Sequence, residues 1–358
     1  MPFFSIIIPC CNVERYVRNC LDSVLSQSFR DWEVLIGVET SKDSTEEIAR
    51  EYAARDPRFK VFTGPLSGSC SVSRNKGTDL AQGEYVIFLD GDDTITEGSL
   101  QRLYDKISAR PGADLYPCAI QVYNELTQKD EELRDNYPAS VSELTGAEAT
   151  LLLGRLWHHP CPMLQMTVFR RQFLLSNDLK CIPGLRCQDS EFSPRALYLA
   201  KRVVPLHEPF YIYRIRRDSV QTQARGADYF YNDYAIIFRS LFAFHTSASK
   251  APGFDRRVSA SWAHTWLTIV FLRWFHPTAV RLIPRKRRLE TLNVLFAHGF
   301  GDFNSLLKST RLPRRIAGWW ARAFMTMPML RWAAEKFFSV YFTLSNQSRA
   351  STGSIVVC

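Results

Sequence analysis

The chain of 358 residues has an ordinary hydrophobic fraction of 46%, enough for one large or two modest domains with a sizeable core. The net charge of +9 is uneven, since residues 1–107 carry 12 Lys and Arg against 17 Asp and Glu, a balance of −5 that leaves +14 for the remainder. The absence of an apolar run of about 18 residues argues against a membrane-spanning helix. The nine Cys lack CxxC pairs, which argues against a zinc site and for a reducing compartment.

Strand and helix patterns alternate through the first hundred residues. Predicted strands cover residues 4–8, 33–38, 59–63 and 85–89, and predicted helices cover residues 14–26, 44–54 and 71–81, with a further helix opening at 94–97. The second helix starts with Ser44-Thr45-Glu46-Glu47, a capping-box pattern. Alternation at this spacing predicts an α/β layer built on a largely parallel sheet.

Polar loops follow three of these strands, at residues 9–12, 39–43 and 90–93. Ligands of open parallel sheets bind at the carboxyl ends of the strands. We therefore expect the three loops to converge on one cleft.

The most informative segment is the apolar strand that runs directly into Asp90, Asp92 and Asp93. A buried strand cannot hold unpaired charge, so these carboxylates are expected at the edge of the sheet. They repel one another unless a cation lies among them, and a divalent ion held by carboxylates and substrate phosphates would supply that charge. The alternative is a polar turn in which Asp93 or Thr94 caps the next helix.

Beyond residue 112 the pattern is mixed. Residues 167–175 and a segment ending at Leu199 are predicted helices, and residues 210–213 are a predicted strand. That strand ends in the basic residues Arg214, Arg216 and Arg217. This arginine cluster is either a solvated strand end or a contact for a diphosphate or a charged acceptor.

After about residue 225 the alternation gives way to helical, aromatic-rich stretches with basic clusters. Residues 273–288 and 308–332 each carry six basic and no acidic side chains. Basic and aromatic residues at 262–275 and 314–324 suit helices at an anionic membrane surface, and the alternative is a helical domain with solvated basic faces. Nucleic acid is not expected as a partner, because no binding motif accompanies the charge. The adjacent pair His158-His159 lacks a third metal ligand at suitable spacing.

Five segments occur in a telling order: Ser5-Ile6-Ile7-Ile8-Pro9 with Asn12 and Tyr16, Trp32-Glu33-Val34-Leu35-Ile36, Gly68 with Ser73-Arg74-Asn75-Lys76-Gly77, residues 83–93, and Phe169-Arg170-Arg171 with Gly184 and Gln188-Asp189-Ser190-Glu191-Phe192. Together they resemble the family 2 glycosyltransferases, over residues 3–107 and 167–220. The resemblance implies the nucleotide-sugar-binding GT-A fold for residues 1–225 and leaves residues 226–358 as a helical C-terminal domain.

The resemblance also implies roles for individual side chains. It places Asp189 as the general base and Asp92 as the ligand of a Mn²⁺ or Mg²⁺ ion that bridges the donor phosphates. The implied donor-binding residues are Pro9, Asn12, Glu14, Glu39, Arg74, Asp90 and Asp92. The ion would stabilise charge on the leaving diphosphate, and a carboxylate would accept the proton of the attacking hydroxyl. A single displacement of this kind implies inversion at the anomeric carbon.

The chain departs from the family pattern at several positions. Cys11 stands where a larger residue is frequent, Val38 and Glu39 stand where the family usually has a pair of Asp, and Gln188 replaces a frequent Glu. The first two changes concern recognition of the base, so the nucleotide is left open with UDP as the default. Arg74 has the alternative of an ion pair with a local acid, and Asp189 has the alternative of a helix N-cap.

The sequence therefore predicts an inverting, metal-dependent transferase that adds one sugar to a saccharide acceptor, expected to be lipid-linked, in surface polysaccharide assembly. We also expect a cytoplasmic location, with peripheral binding at the inner face of the cell membrane. A processive synthase is disfavoured, because Val270 and Pro328 replace the Gln of a Gln-x-x-Arg-Trp motif. The alternative is a non-catalytic nucleotide-sugar-binding or scaffolding subunit, and a dehydrogenase is excluded by the lack of a GxGxxG turn after the first strand.

Overall fold

The structure, a computed structural model, describes residues 1–156, 163–216 and 228–248 together with residues 250, 255, 257 and 258. The chain divides into two units, residues 1–153 with 161–223 and residues 154–160 with 224–358. The assignment of donor binding to the first unit and of acceptor or membrane binding to the second stays a prediction. In the second unit the described part is chiefly one helix, α8.

The described residues contain ten strands and eight α-helices. The strands are β1 Phe4–Cys10, β2 Trp32–Glu39, β3 Phe59–Gly64, β4 Tyr85–Phe88, β5 Thr94–Ile95, β6 Leu115–Pro117, β7 Ala119–Asn124, β8 Lys129–Arg134, β9 Thr167–Arg170 and β10 Pro209–Ile215. The helices are α1 Glu14–Leu25, α2 Thr45–Arg55, α3 Ser71–Leu80, α4 Ser99–Ala109, α5 Gly146–Leu156, α6 Arg171–Ser176, α7 Asp189–Leu199 and α8 Asp228–Ala248. A single 3₁₀ turn, Leu164–Met166, precedes β9.

The central sheet has six strands in the order β3-β2-β1-β4-β9-β6. The first four strands in this order run parallel to one another, and β9 pairs antiparallel with both β4 and β6. This architecture confirms the predicted, largely parallel sheet. The chain moves from β1 out to β3 and returns to the other side of β1 as β4, so the direction of winding reverses between β1 and β4, where doubly wound sheets bind their ligands.

Side chains of β1 are buried on both faces of the sheet. Ile6 and Ile8 pack in a core with Val17 and Leu21 of α1, whereas Ile7 lies in a second core on the other face. Helix α3 approaches that second face closely, because a Cβ at Gly77 would lie 2.5 Å from Cγ2 of Ile7. A fully buried strand between two helical layers explains why its sequence is continuously apolar.

In two predicted helices the first residues form a strand instead. The helix predicted to open at residues 94–97 is preceded by β5, in which Ile95 pairs with Tyr211, and α4 begins only at Ser99 after Gly98 with φ of 64°. The helix predicted for residues 167–175 is split into β9 and the short α6. In both cases pairing with a strand far away in the chain overrides local helical propensity.

Across the ranges that the structure describes, we find no helix with both the length and the apolar character needed to cross a membrane. The basic aromatic stretches at 262–275 and 314–324, and the pair His158-His159, lie outside those ranges. The predicted membrane-surface role therefore stays a prediction.

Candidate active site

The loop after β4 packs directly on the end of β1. A Cβ at Gly91 would lie 2.8 Å from Sγ of Cys10 and 3.2 Å from the carbonyl oxygen of Pro9. Only glycine allows the backbone of this loop to come so close. Pro9 itself is buried in β1 opposite Gly37 of β2, at the carboxyl end of the sheet.

The loops after β1 and β2 are joined by hydrogen bonds through Asn12, whose φ of 53° is in the left-handed region. Its backbone N–H donates to Oγ of Ser41 at 3.1 Å, and its side-chain Oδ1 accepts from the backbone N–H of Lys42 at 2.8 Å. The predicted convergence of the three polar loops is therefore confirmed. The contact of Asn12 with a donor stays a prediction.

Glu14 and Asp43 cap each other's helices. Oε2 of Glu14 accepts from the backbone N–H of Ser44 at 3.0 Å, while Oδ2 of Asp43 accepts from the backbone N–H of Glu14 at 3.0 Å. Burial raises the pKa of Asp43, but hydrogen bonds from Thr45 and from the Glu14 N–H hold it below its usual value. Asp43 takes the place of the predicted capping box, since the Ser44 side chain makes no cap bond. Glu14 thus has a structural task, and its contact with a donor stays a prediction.

Glu39 supports the loop that leads into α3. Its side chain is buried, and its two carboxylate oxygens accept from the backbone N–H of Ser67 at 2.8 Å and from Oγ of Ser67 at 2.7 Å. The altered second loop therefore places a carboxylate below the cleft and ties it to a neighbouring loop. A direct role of Glu39 in donor binding stays a prediction.

Both oxygens of Asp90 are held by side chains from other elements. Arg74 of α3 donates from Nη2 to Oδ1 at 2.5 Å, and Gln165 donates from Nε2 to Oδ2 at 2.6 Å. Arg74 is only 4% exposed and makes the ion pair that was the alternative for this residue, and its contact with a donor stays a prediction. We assign Arg74 to fixing Asp90 at the end of β4.

Asp93 points into the protein and does not cap a helix. Its Oδ2 accepts from the hydroxyl of Tyr211 at 2.5 Å, and its Oδ1 accepts from the backbone N–H of Arg214 at 2.7 Å. Burial, with the charges of Asp92 and Asp90, raises the pKa of Asp93 well above its usual range. Because the Tyr211 hydroxyl also accepts from the backbone N–H of Asp90, β10 clamps the acidic loop at two points.

Asp92 is the carboxylate of this segment with the most capacity for a further ligand. Its one side-chain partner in the described chain is Arg216, whose Nε donates to Oδ2 at 2.8 Å. Burial raises the pKa of Asp92, Arg216 lowers it, and the charge of Asp90 raises it, with a net rise. The segment thus holds more negative charge than its surroundings readily accommodate, which a cation would relieve.

The donor atoms fit a magnesium-like or manganese-like ion. Such ions are bound through one or two carboxylates and take their other ligands from water and phosphate oxygens. Among the described residues, no three His, Cys, Asp or Glu side chains are grouped to hold a metal by themselves. Asp92 is therefore the residue that would hold the ion, together with oxygens of the substrate.

Asp189 is the first residue of α7 and not its N-cap. Gln188 takes the cap position without a side-chain cap bond, so the capping alternative for Asp189 was wrong. Oδ1 of Asp189 accepts from the backbone N–H of Leu164 at 3.2 Å, in the turn that also carries Gln165. Arg74 links this region to β4, because its Nη1 donates to Oε1 of Gln188 at 2.9 Å while its Nη2 binds Asp90.

Sequence reasoning missed two residues that shape the site, Gln165 and Tyr211. Gln165 lies in a single 3₁₀ turn, and no pattern in the sequence singles it out. Tyr211 alternates with Tyr213 in a strand of period two, which predicts an inward side chain but not its partner Asp93. Arg214 and Arg216 of the predicted cluster turn towards the acidic segment, whereas Arg217 lies outside the described residues.

Replacing Arg74 by methionine is expected to lower the free energy of unfolding by about 3 kcal/mol, because it leaves the Asp90 carboxylate without its buried counter-charge. Urea unfolding would measure the loss. Arg55→Met is the matched control, since Arg55 is 62% exposed in its pair with Glu51, and the expected change there is below about 0.5 kcal/mol. Equal effects of the two substitutions would contradict the assignment of Arg74.

Comparison with known proteins places this arrangement in context. The family described as Glycosyl transferase family 2 matches residues 5–175. The chain is 30% identical over 256 residues to the uncharacterized glycosyltransferase EpsJ of Bacillus subtilis, covering 66% of this chain and 72% of that protein. It is 34% identical over 102 residues to the minor teichoic acid biosynthesis protein GgaB of the same organism, covering 28% of this chain and 11% of that protein.

Among solved structures, the chain is similar to residues 1–349 of TarS from S. aureus in complex with UDP-GlcNAc. The TM-score is 0.64 at 20% sequence identity, and the likeness covers 98% of this chain and 92% of that chain. This similarity shows that the two chains share a fold.

Proposed function

We propose that this chain, which belongs to glycosyl transferase family 2 and is a glycosyltransferase, moves a single sugar from a nucleotide-sugar donor to a saccharide acceptor with inversion at the anomeric carbon. The relatives named as glycosyltransferases favour this over the non-catalytic alternative. UDP-sugars are the donors to test first, since the TarS chain of the same fold was solved with UDP-GlcNAc.

One observation carries the proposal: the Arg74 guanidinium joins the two halves of the candidate site. It binds Asp90 at the end of β4 and Gln188 next to Asp189 at the start of α7. The segment proposed to bind the donor and the carboxylate proposed as the base are thereby fixed to the same buried group. Fixed placement of reacting groups can lower the barrier of a displacement between two bound substrates by about 7–11 kcal/mol.

The donor end of the site is built from the acidic segment. Asp92 would hold a Mn²⁺ or Mg²⁺ ion, which when bound stabilises negative charge on the leaving diphosphate. Asp90, held by Arg74 and Gln165, presents a fixed carboxylate edge next to it and is proposed to lie near the ribose. Asp93, bound to Tyr211, keeps the loop in place and is not proposed to touch the donor.

Asp189 is proposed to take the proton of the attacking acceptor hydroxyl. Its Oδ1 accepts from the Leu164 backbone N–H, which orients the carboxylate at the start of α7. A positioned carboxylate accelerates such a proton transfer by about 10²–10⁴-fold. With one base and one direction of attack, the product has the opposite anomeric configuration.

The acceptor is proposed to be a lipid-linked saccharide in surface polysaccharide assembly. The relative GgaB is named as a teichoic acid biosynthesis protein, which motivates this class. The charge of the chain beyond residue 107, +14, is proposed to bring the enzyme to an anionic membrane surface at the inner face of the cell membrane.

Calorimetric titration with UDP, GDP, CMP and dTDP, each with and without Mn²⁺, tests the donor proposal. We expect one nucleotide, UDP first among them, to bind in the presence of Mn²⁺ at least about tenfold more tightly than in EDTA, since the ion neutralises phosphate charge next to Asp92. Binding of equal strength with and without the ion would contradict the metal role. Failure of all four to bind would contradict the donor proposal itself.

A further inference from the structure

The contact between Arg216 and Asp92 is made through one bond. Nε of Arg216 lies 2.8 Å from Oδ2 of Asp92, with the two side chains 13% and 22% exposed. By contrast, Arg195 binds both carboxylate oxygens of Glu191 through two nitrogens. An ion pair held by one hydrogen bond is weaker than a pair held by two.

The other two carboxylates of the acidic segment, Asp90 and Asp93, are each held by more than one protein donor. Both oxygens of Asp90 and both oxygens of Asp93 already accept hydrogen bonds from fixed groups. A cation that enters this segment therefore meets Asp92, where the positive charge of the Arg216 guanidinium at Oδ2 opposes its binding.

Arg216 has a second partner that would remain after such an exchange. Its guanidinium carbon lies 4.9 Å from the centroid of the Tyr16 ring, a distance at which a cation is attracted to an aromatic face. The Tyr16 hydroxyl is in turn held by Oε2 of Glu125 at 3.2 Å. The guanidinium can thus leave Asp92 without leaving the site.

Resting on the proposed function, we propose that Arg216 is an exchangeable counter-ion and a positioning residue for the donor. In the donor-free protein it neutralises Asp92, on metal binding it yields this carboxylate to the divalent ion, and it then binds the donor diphosphate. A divalent ion balances the two negative charges of a nucleoside diphosphate sugar, and the released guanidinium adds a positive charge where the leaving group becomes more negative. Its planar fork of donors suits phosphate oxygens.

The exchange predicts two effects of opposite sign for Arg216→Gln in the full-length chain. With Mn²⁺ alone as the probe, followed by the electron paramagnetic resonance of the free ion, we expect about fivefold tighter binding, because a competing cation is gone. With UDP in saturating Mn²⁺, followed by calorimetry, we expect about tenfold weaker binding, because a charged donor to phosphate is gone. Arg216→Lys is expected to shift both affinities in the same directions by smaller factors.

Arg58→Gln is the matched control. Arg58 also pairs with an aspartate, Asp56, through Nε and lies over an aromatic ring, Trp32, but it is at the opposite end of the sheet. Neither affinity is expected to change there by more than about twofold. Opposite shifts in Arg216→Gln alone support the exchange.

Several outcomes would overturn the proposal. A fall in the affinities for both Mn²⁺ and UDP would give Arg216 a merely structural role. Unchanged affinities would show that Arg216 takes no part in binding either ligand. If wild type binds Mn²⁺ and the variant binds it equally well, the exchange fails while the metal role of Asp92 stands. If wild type binds no Mn²⁺ with or without UDP, the metal role of Asp92 and the exchange fail together.

Discussion

Asp189→Asn is expected to reduce sugar transfer about a thousandfold while donor binding changes less than about twofold. The asparagine keeps an oxygen that can accept from the Leu164 backbone N–H, so the start of α7 is preserved. What is lost is the basic oxygen that takes the proton of the attacking hydroxyl. The measurement is release of UDP from a UDP-sugar with simple glycosides as acceptors, beside calorimetric binding of UDP.

Asp79→Asn is the matched control for this substitution. Asp79 is on α3 and is 49% exposed in its pair with Lys180, so neither transfer nor binding is expected to change. Transfer by Asp189→Asn at more than about a tenth of the wild-type rate would remove Asp189 from the role of base. Loss of UDP binding together with transfer would instead indicate that the variant disturbs the donor site.

Asp92→Asn is expected to abolish the Mn²⁺-dependent part of nucleotide binding and to reduce transfer about a hundredfold or more. A neutral amide is a poor ligand for a hard divalent ion, whereas it still accepts a hydrogen bond from Arg216. The UDP affinity of the variant in Mn²⁺ should therefore equal that of wild type in EDTA. Titration calorimetry under both conditions measures this directly.

The exposed residue Asp105 on α4 provides the control for Asp92→Asn. Among the described residues its side chain accepts only from Gln101 on the same helix, so Asp105→Asn is expected to keep the full response to Mn²⁺. A persistent Mn²⁺ response in Asp92→Asn would show that another group holds the ion. Each carboxylate oxygen of Asp90 and Asp93 already accepts a hydrogen bond from a protein group, so an ion held there would share an oxygen with that group.

The first four strands and three helices could be predicted because their signals are local. The continuous apolar run of β1 and the 3.6-residue period of α1 can each be seen within about a dozen residues. The second sheet, of order β5-β10-β7-β8, has no comparable signal. Its shortest strand, β5, has two residues and pairs with β10 more than a hundred residues later, so no local window contains the information that defines it.

The residues of the candidate site also fall into those that the local sequence predicts and those that it does not. Asp90, Asp92 and Asp93 stand out because charge follows a buried strand, and their position at the end of β4 was predicted. Their partners Gln165 and Tyr211 come from distant elements and have no spacing relationship to the acids. The role of Glu14 was also beyond the sequence, since a glutamate at a helix start looks the same whether it contacts a ligand or caps a neighbouring helix.

The mutual capping by Glu14 and Asp43 has a consequence for engineering the loops of the proposed donor site. Replacing only the segment after β1 would leave the start of α2 without the Glu14 carboxylate that accepts from its N–H. Replacing only the segment after β2 would leave the start of α1 without Asp43. Residues 10–14 and 40–45 therefore form one exchangeable cassette, and chimeras that exchange both segments together should keep the fold.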